Sequence, residues 1–129
     1  MKTKKIMLID DNRLDTSIHK QLLAGFVISE NIIEINSPAV ALEYFKYVIN
    51  PEALPDIIFL EIKMREMSGF DFLKKFSESS FPKKANCQIF VITASTNPCD
   101  IDQAMSNKYV KKCFSKPFTK EQCSTIELM

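Results

Sequence analysis

The chain has 129 residues, 46% of them apolar, which is enough for one domain, residues 1–129, with its own buried core. Seventeen basic residues are balanced by sixteen acidic ones, which argues against a protein dedicated to binding nucleic acid or a membrane surface. No apolar run approaches the roughly 18 residues that span a bilayer, and the first residues lack the apolar stretch of a signal peptide, so we expect a cytoplasmic protein.

The first predicted strand is the apolar run Ile6–Ile9, which is typical of a strand buried on both faces of a parallel sheet. Leu14, Ile18 and Leu22 then recur every four residues and predict one apolar face of a helix. Gly25 follows as a C-terminal stop for that helix.

A second strand is predicted at residues 31–36, which contain three isoleucines. Ser37 followed by Pro38 favours a helix start, because serine caps free N–H groups and proline is tolerated in the first turn. This second helix stops at Asn50 and Pro51.

The stretch Pro55–Gly69 is the centre of the sequence. Its first part, Ile57–Leu60, predicts a third buried strand, and the carboxylate of Glu61 follows at once. Gly69 is expected to supply backbone freedom before a third helix, which carries apolar residues at helical spacing between 70 and 76. In open α/β sheets ligands bind beyond the carboxyl ends of the strands. Glu61 therefore stands where recognition or chemistry is expected.

The last part of the chain begins with a polar surface connection, Ser79–Asn86. Ile89–Ile92 predicts the fourth strand, and Asn97 followed by Pro98 predicts a fourth helix running through Met105. A mixed fifth strand follows at residues 109–114, and the spacing of a threonine at 119 and a glutamine at 122 is that of a capping box for a last helix.

A strand followed by a helix, repeated five times, predicts a parallel sheet with helices on both faces. The fold class is thus α/β, a three-layer (βα)5 sandwich with a five-stranded parallel sheet.

The four cysteines and the one histidine suggest neither a metal site nor a redox site. The cysteines include no CxxC pair and have no histidine nearby, so we interpret them as small apolar residues or unreactive thiols. His19 lies within the pattern of the first helix, and we expect it on the helix surface.

Polar residues follow four of the five predicted strands. They are Asp10, Asp11, Glu61, Thr93 and Lys116. Because the carboxyl ends of parallel strands meet at one edge of a sheet, we expect these side chains to converge there.

Carboxylates that crowd together repel one another, so such a cluster needs a cation between them or raised pKa values. A hard divalent ion such as Mg²⁺, held by Asp10, Asp11 and Glu61, meets that need. Lys116 and the Thr93 hydroxyl are then suitable partners for the oxygens of a phosphoryl group or a carboxylate.

Four segments resemble the receiver domain of two-component response regulators, in particular the single-domain chemotaxis regulators. They are LIDD at 8–11, FLEIKMREMSG at 59–69, VITAS at 91–95 and SKPF at 115–118. The resemblance implies a flavodoxin-like sheet with strand order 2-1-3-4-5, no output domain, and a cis peptide bond between Lys116 and Pro117. It also implies a sensor histidine kinase or a downstream signalling protein as partner. For the oligomeric state we expect a monomer or a weak homodimer, and neither the net charge nor the short fifth helix decides between them.

The resemblance gives each residue of the cluster a role. Asp10 and Asp11 match the acidic pair that helps to hold Mg²⁺. Thr93 matches the switch hydroxyl, and Lys116 matches the lysine that contacts the phosphoryl group. Glu61 stands where the family has the aspartate that accepts phosphate from a histidine kinase.

Three positions depart from the family pattern. The extra methylene of Glu61 moves its carboxylate about 1.5 Å outward, and reactions that need near-attack geometry lose heavily from displacements of about 1 Å. Arg65 replaces the usual proline of the loop and brings a permanent cation close to the site. Cys113 stands where the family has a rotating aromatic residue, and Phe114, one position later, is expected to face the opposite side.

Three hypotheses follow. The first is a stand-alone, atypical receiver that is not an enzyme and signals by protein–protein contact, with Glu61 either mimicking the active state or marking degeneration of the site. We expect its partner to bind the face of the fourth helix, fifth strand and fifth helix.

The second hypothesis is a working receiver that accepts a phosphoryl group on Glu61 or a nearby residue. The third is a small Mg²⁺-dependent phosphohydrolase, which the missing cap domain and missing general base make the weakest.

Overall fold

Five parallel strands form one sheet in the order β2-β1-β3-β4-β5. The computed structural model describes residues 4–48, 50–80 and 84–128, and for residue 85 the backbone only. The strands are β1 Ile6–Ile9, β2 Ile32–Ile35, β3 Ile57–Leu60, β4 Gln88–Thr93 and β5 Val110–Ser115. The helices are α1 Arg13–Leu23, α2 Pro38–Tyr47, α3 Gly69–Glu78, α4 Pro98–Met105 and α5 Lys120–Ser124. This confirms the predicted fold class and the strand order.

The sheet separates two apolar cores. One core joins the sheet to α2, α3 and α4, with Phe45, Phe72 and Phe76 among its largest members. The other joins the sheet to α1 and α5 through residues such as Leu23 and Cys123. The strands β1 and β3 are buried along their whole length because they lie inside the sheet with helices on both faces. Their unbroken apolar runs are a consequence of that position.

Three of the predicted helices begin at the polar N-cap residues that the sequence indicated. The Ser37 hydroxyl accepts a hydrogen bond from the N–H of Val40, and the Asn97 side chain accepts one from the N–H of Cys99. Thr119 and Gln122 form the predicted capping box. These bonds satisfy N–H groups that have no partner within a helix. Three residues of the predicted surface connection, 81–83, lie outside the described residues.

Helix α1 exposes two of the three residues of its predicted apolar face, while the third, Leu22, packs against the core. Leu14 is 69% exposed and Ile18 is 50% exposed, whereas Thr16, His19 and Leu23 are buried. The first turn sets this orientation, because the Thr16 hydroxyl accepts a hydrogen bond from the side chain of Asn36 at 3.2 Å. Leu14 and Ile18 point away from Thr16 at 100° per residue, and so away from the sheet.

His19 is not a surface residue, and the prediction that placed it there is wrong. Only 6% of its area is exposed, and its ring meets the ring of Phe118 edge to face at 6.1 Å. Burial lowers the pKa of His19 below the ordinary value of 6.5, and the nearby Lys116 ammonium lowers it further, against the opposing effects of Asp15 and Glu61. The folded protein therefore favours the neutral imidazole.

We expect His19 to make the free energy of unfolding fall as the pH drops below about 6.5. The unfolded chain binds the proton first because the folded pKa is lowered, so the stabilisation is present above that pH and is lost as the pH falls toward the folded pKa. The slope reaches at most about 1.4 kcal/mol per pH unit for one proton. Urea unfolding of the wild type and of His19→Gln, repeated at about six pH values between 5 and 8, measures this slope.

The chain has a single histidine, so the difference between the two proteins isolates its titration. An equal slope in the wild type and in His19→Gln over this range would show that burial of the imidazole has no effect on pH stability.

The Lys116–Pro117 peptide bond is cis, as the resemblance implied. The four cysteines are free thiols, and Cys113 packs against one core while its neighbour Phe114 lies in the other, so the two face opposite sides of the sheet as predicted. Within the described ranges, no helix combines the length and the apolar character that crossing a membrane requires.

Candidate functional site

The strand register brings the polar residues together at the carboxyl edge of the sheet. Ile9 pairs with Leu60, so the next residues, Asp10 and Glu61, lie side by side. The last pair of β4 and β5 is Thr93 with Ser115, and Lys116 follows directly. Residues that are 106 positions apart in the chain therefore become neighbours.

Lys116 is the centre of this site. Its Nζ lies 2.8 Å from Oδ2 of Asp10, 2.7 Å from Oδ2 of Asp15 and 2.9 Å from Oε1 of Glu61. The side chains of Lys116, Asp10 and Glu61 are 16%, 6% and 3% exposed, and that of Asp15 is 28% exposed. One ammonium group thus neutralises part of the charge of three carboxylates in a poorly solvated place.

The electrostatics of the site follow from burial and pairing. Burial lowers the pKa of Lys116, but the three carboxylates outweigh burial and leave the pKa raised well above 10.5. Burial raises the pKa of Asp10, and the hydrogen bonds from Lys116 and from the N–H of Asn12 only partly offset it. The lysine is therefore firmly charged, while Asp10 retains an uncompensated cost of burial.

Glu61 is surrounded by donors. Its Oε2 accepts hydrogen bonds from the N–H groups of Ile62 at 2.6 Å and Lys63 at 3.2 Å. Its Oε1 accepts one from the N–H of Ala94 at 3.2 Å, besides the ion pair with Lys116. The glutamate side chain folds back toward its own backbone, so that the first N–H groups of the following loop donate to its carboxylate. A carboxylate has about four lone-pair sites, and all are used here.

Asp11 and Thr93 lie at the border of this cluster. Asp11 is partly exposed, and its Oδ2 accepts a hydrogen bond from the backbone N–H of Arg65 at 2.9 Å, which ties it to the loop after β3. Thr93 is fully buried, and its hydroxyl accepts a hydrogen bond from the N–H of Ser95 at 3.0 Å. Among the described residues no hydrogen bond joins that hydroxyl to Glu61. Of the two predicted partners for a phosphoryl or carboxylate oxygen, Lys116 contacts Oε1 of Glu61, and the N–H of Ala94 is the second donor to that oxygen.

A sequence profile of the response regulator receiver domain matches residues 6–126. The chain belongs to this family.

The fold of this receiver domain is shared with solved structures of low sequence identity. A two-component response regulator from Cytophaga hutchinsonii superimposes with a TM-score of 0.85 at 22% identity, over 97% of this chain and 94% of the other. A chemotaxis protein from Vibrio cholerae gives a TM-score of 0.74 at 20% identity, over 96% of this chain and 95% of the other. These likenesses establish the fold.

A curated relative matches a smaller part of the receiver domain. Protein-glutamate methylesterase/protein-glutamine glutaminase 3 from Geobacter metallireducens is 33% identical over 79 residues, which are 58% of this chain and 20% of that protein. The chain thus spans about a fifth of the length of that relative.

Position 69 of the receiver domain requires glycine because there is no room for a Cβ atom. A Cβ atom there would lie 2.6 Å from the carbonyl oxygen of Glu61 and 2.7 Å from Cα of Ile62, and both are backbone atoms that cannot swing away. Its φ angle is not positive, so the backbone freedom predicted for this glycine is not used. The start of α3 therefore packs directly on the backbone that carries Glu61.

Two residues that contact the cluster, Asp15 and Ala94, were not among the predicted site residues of the receiver domain. Asp15 lies in the first turn of α1, where acidic residues are common because they complement the helix dipole. That ordinary explanation concealed its contact with Lys116. Ala94 contributes through its backbone N–H, and such a role leaves no mark on the residue type.

The donor set allows a test of whether the receiver domain fits Mg²⁺. Receiver domains generally bind this ion at the acceptor site, and carboxylates are the oxygen ligands that it prefers. Within the described ranges, however, no three acidic, histidine or cysteine side chains are arranged to hold a metal ion. Lys116 lies where Asp10, Asp15 and Glu61 meet, and Asp11 points to the loop. The ligand type fits, but a cation would need these side chains to rearrange.

Proposed function

We propose that this receiver domain signals through contact with a protein partner and does not accept phosphate at residue 61 in the ordinary way. One observation carries the proposal. The buried carboxylate of Glu61 is held by three backbone N–H groups and by Lys116.

This geometry disfavours phosphoryl transfer. An acceptor oxygen must present a lone pair to phosphorus in line with the leaving group, and both oxygens of Glu61 are occupied by donors. Attack needs the reacting atoms at about 3–3.5 Å with good alignment, and a carboxylate folded back against its own loop is poorly placed for it. Transfer would first have to break several of these hydrogen bonds.

The same contacts favour one state of the domain. An ammonium and a backbone N–H on one oxygen of Glu61 are the kind of donors that a bound phosphoryl group attracts. A glutamate that already engages them biases a two-state switch without modification. Residue 61 then acts as a fixed negative charge that holds the ends of β4 and β5 together through Ala94 and Lys116.

Magnesium has a minor place in this proposal. Asp10, Asp11 and Glu61 would hold the ion, and binding is weak because Lys116 competes for two of these carboxylates. When bound, the ion supplies positive charge to the carboxylates. It has no further role here.

A protein partner is supported by exposed apolar residues. Receiver domains interact with histidine kinases or with downstream effectors. In this chain Met105 at the end of α4 is 43% exposed, which agrees with the proposed face of α4, β5 and α5. Leu14 and Ile18 on α1 form a second exposed apolar surface. The partner is a sensor kinase or a downstream signalling protein that covers one of these surfaces.

Intact-protein mass spectrometry after treatment with acetyl phosphate and Mg²⁺ tests the proposal. We expect the wild-type mass to stay unchanged, because the Glu61 carboxylate is occupied. We expect Glu61→Asp to gain one phosphoryl group, because the shorter side chain withdraws the carboxylate from the N–H groups of Ile62 and Lys63.

Glu61→Gln is the matched control, since it keeps the length of the side chain and removes its charge. A phosphorylated wild type that loses the group on Glu61→Gln would show that Glu61 is an ordinary acceptor. Acid-stable phosphate on the wild type would instead identify a hydroxyl acceptor such as Thr93.

A further inference from the structure

An open cleft lies at the amino edge of the sheet, at the opposite end of the strands from Glu61. It has a volume of about 420 Å³, within the range of about 300–1,000 Å³ that small-molecule sites occupy. Its walls are the start of β4, the segment before it, and the start of β5. The lining residues are Asn86, Cys87, Gln88, Lys108, Tyr109 and Lys111.

Lys111 enters this cleft because of a β-bulge. Ile89 pairs with Val110, but the next residue of β4, Phe90, pairs with Lys112. Lys111 is therefore an extra residue in β5 without a partner in the ladder. Bulges bend a strand and turn a side chain to a new direction, and they are frequent beside functional sites. A regular edge strand already exposes alternate side chains, so a bulge is not needed merely to expose a lysine.

Tyr109 forms a rigid wall between the lysines. Its ring packs edge to face on Phe76 at 5.2 Å, and its N–H donates to the side chain of Asn107 at 2.9 Å. The ammonium groups of Lys84 and Lys108 lie 5.9 and 5.2 Å from the ring centre. Two cations already contact this ring, so a ligand is recognised here by its charge and not by aromatic stacking.

The cleft is positively charged and rich in donors. Among the described residues that line it, none is acidic, two are lysines, and two, Asn86 and Gln88, carry side-chain amides. Lys84 stands beside them, fixed by the backbone carbonyls of Ser77 and Ser79. Asp56, which precedes β3, accepts the N–H of Gln88 on its backbone carbonyl and directs a carboxylate oxygen to the N–H of Lys5 at 2.8 Å.

We propose that this cleft binds a diphosphate group, either free or as part of a small phosphate ester. Lys108 and Lys111 stand on either side of Tyr109 in the chain and provide two point charges, which suits a ligand with two linked anionic centres. The amides of Asn86 and Gln88 donate to the remaining oxygens. The proposal is independent of the acceptor chemistry at Glu61.

Titration of the full chain with pyrophosphate, followed by calorimetry and by backbone amide NMR, tests the site. We expect shifts at residues 86–88 and 108–111. We expect affinity to fall by about tenfold in the double variant Lys108→Gln with Lys111→Gln. Lys74→Gln with Lys120→Gln is the control, since both lysines are exposed, lie on α3 and α5, and change the net charge equally. The control should bind as the wild type does.

A second titration with ADP distinguishes the sources of the diphosphate. Equal affinity for ADP and pyrophosphate supports a site for the free anion, and tighter binding of ADP supports a site for an ester. The proposal is overturned if both double variants lose affinity equally, if the shifts map to Lys116 at the other edge, or if the wild type shows no binding at millimolar pyrophosphate.

Discussion

Replacing Lys116 by methionine should lower the free energy of unfolding by about 3–5 kcal/mol. Methionine keeps the length and apolar bulk of the side chain but removes the ammonium that lies within 3 Å of Asp10, Asp15 and Glu61. Two of these carboxylates are almost fully buried, so their mutual repulsion is poorly screened by water. Urea unfolding at neutral pH measures the loss.

The same variant should respond to cations and to acid. We expect millimolar Mg²⁺ to raise the stability of Lys116→Met more than that of the wild type, because the ion no longer competes with the ammonium for the carboxylates. Lowering the pH toward 5 should also reduce the stability difference between Lys116→Met and the wild type. The pKa of Asp10 is already raised by burial and rises further without the Lys116 ammonium, so the buried carboxylate is protonated more readily.

Lys120→Met is the control for this experiment, because Lys120 is exposed at the start of α5. It should change stability by less than about 0.5 kcal/mol. A loss below about 1 kcal/mol for Lys116→Met would mean that the three carboxylates are well solvated without the lysine, and the view of the site as a closed ionic cluster would be wrong.

Replacing Gly69 by alanine should cost about 3 kcal/mol, the upper end of the range for overpacking. The new Cβ would lie 2.6 Å from the backbone oxygen of Glu61, so either α3 or the end of β3 must move. Because Glu61 is part of the backbone that must move, the hydrogen bonds that its carboxylate accepts from the N–H groups of Ile62 and Lys63 should weaken as well. Urea unfolding and the amide NMR shifts of residues 61–63 report the two effects.

Gly25→Ala provides a matched control. Its Cβ would meet the carbonyl oxygen of Leu22 at an ordinary 3.5 Å, and neither glycine has a positive φ. Alanine at position 25 should therefore be neutral or stabilise by about 0.4–1 kcal/mol through the unfolded state. Equal effects at the two glycines would rule out close packing as the reason for Gly69.

Much of the fold was predictable because its signals are local. The runs Ile6–Ile9 and Ile57–Leu60 are apolar at every position, and only strands inside a covered parallel sheet need that. The helix starts at Ser37, Asn97 and Thr119 were equally clear, since a cap acts within three residues of itself.

The candidate site was only partly predictable. Asp10, Glu61 and Lys116 follow buried strands, so the topology of a parallel sheet brings them to one edge. Their partners were less visible. Asp15 resembles any acidic residue in a first helical turn, and Ala94 acts through its main chain.

The sequence by itself determined the number and order of strands and helices and the edge at which the polar residues gather, because apolar period, caps and strand ends depend on neighbours in the chain. Only the tertiary structure decided the rotation of α1 that buries His19 and exposes Leu14, and the bulge that turns out Lys111. It also decided how the four donors close on Glu61. These features depend on contacts between segments far apart in the chain, and a packed core permits few arrangements of them.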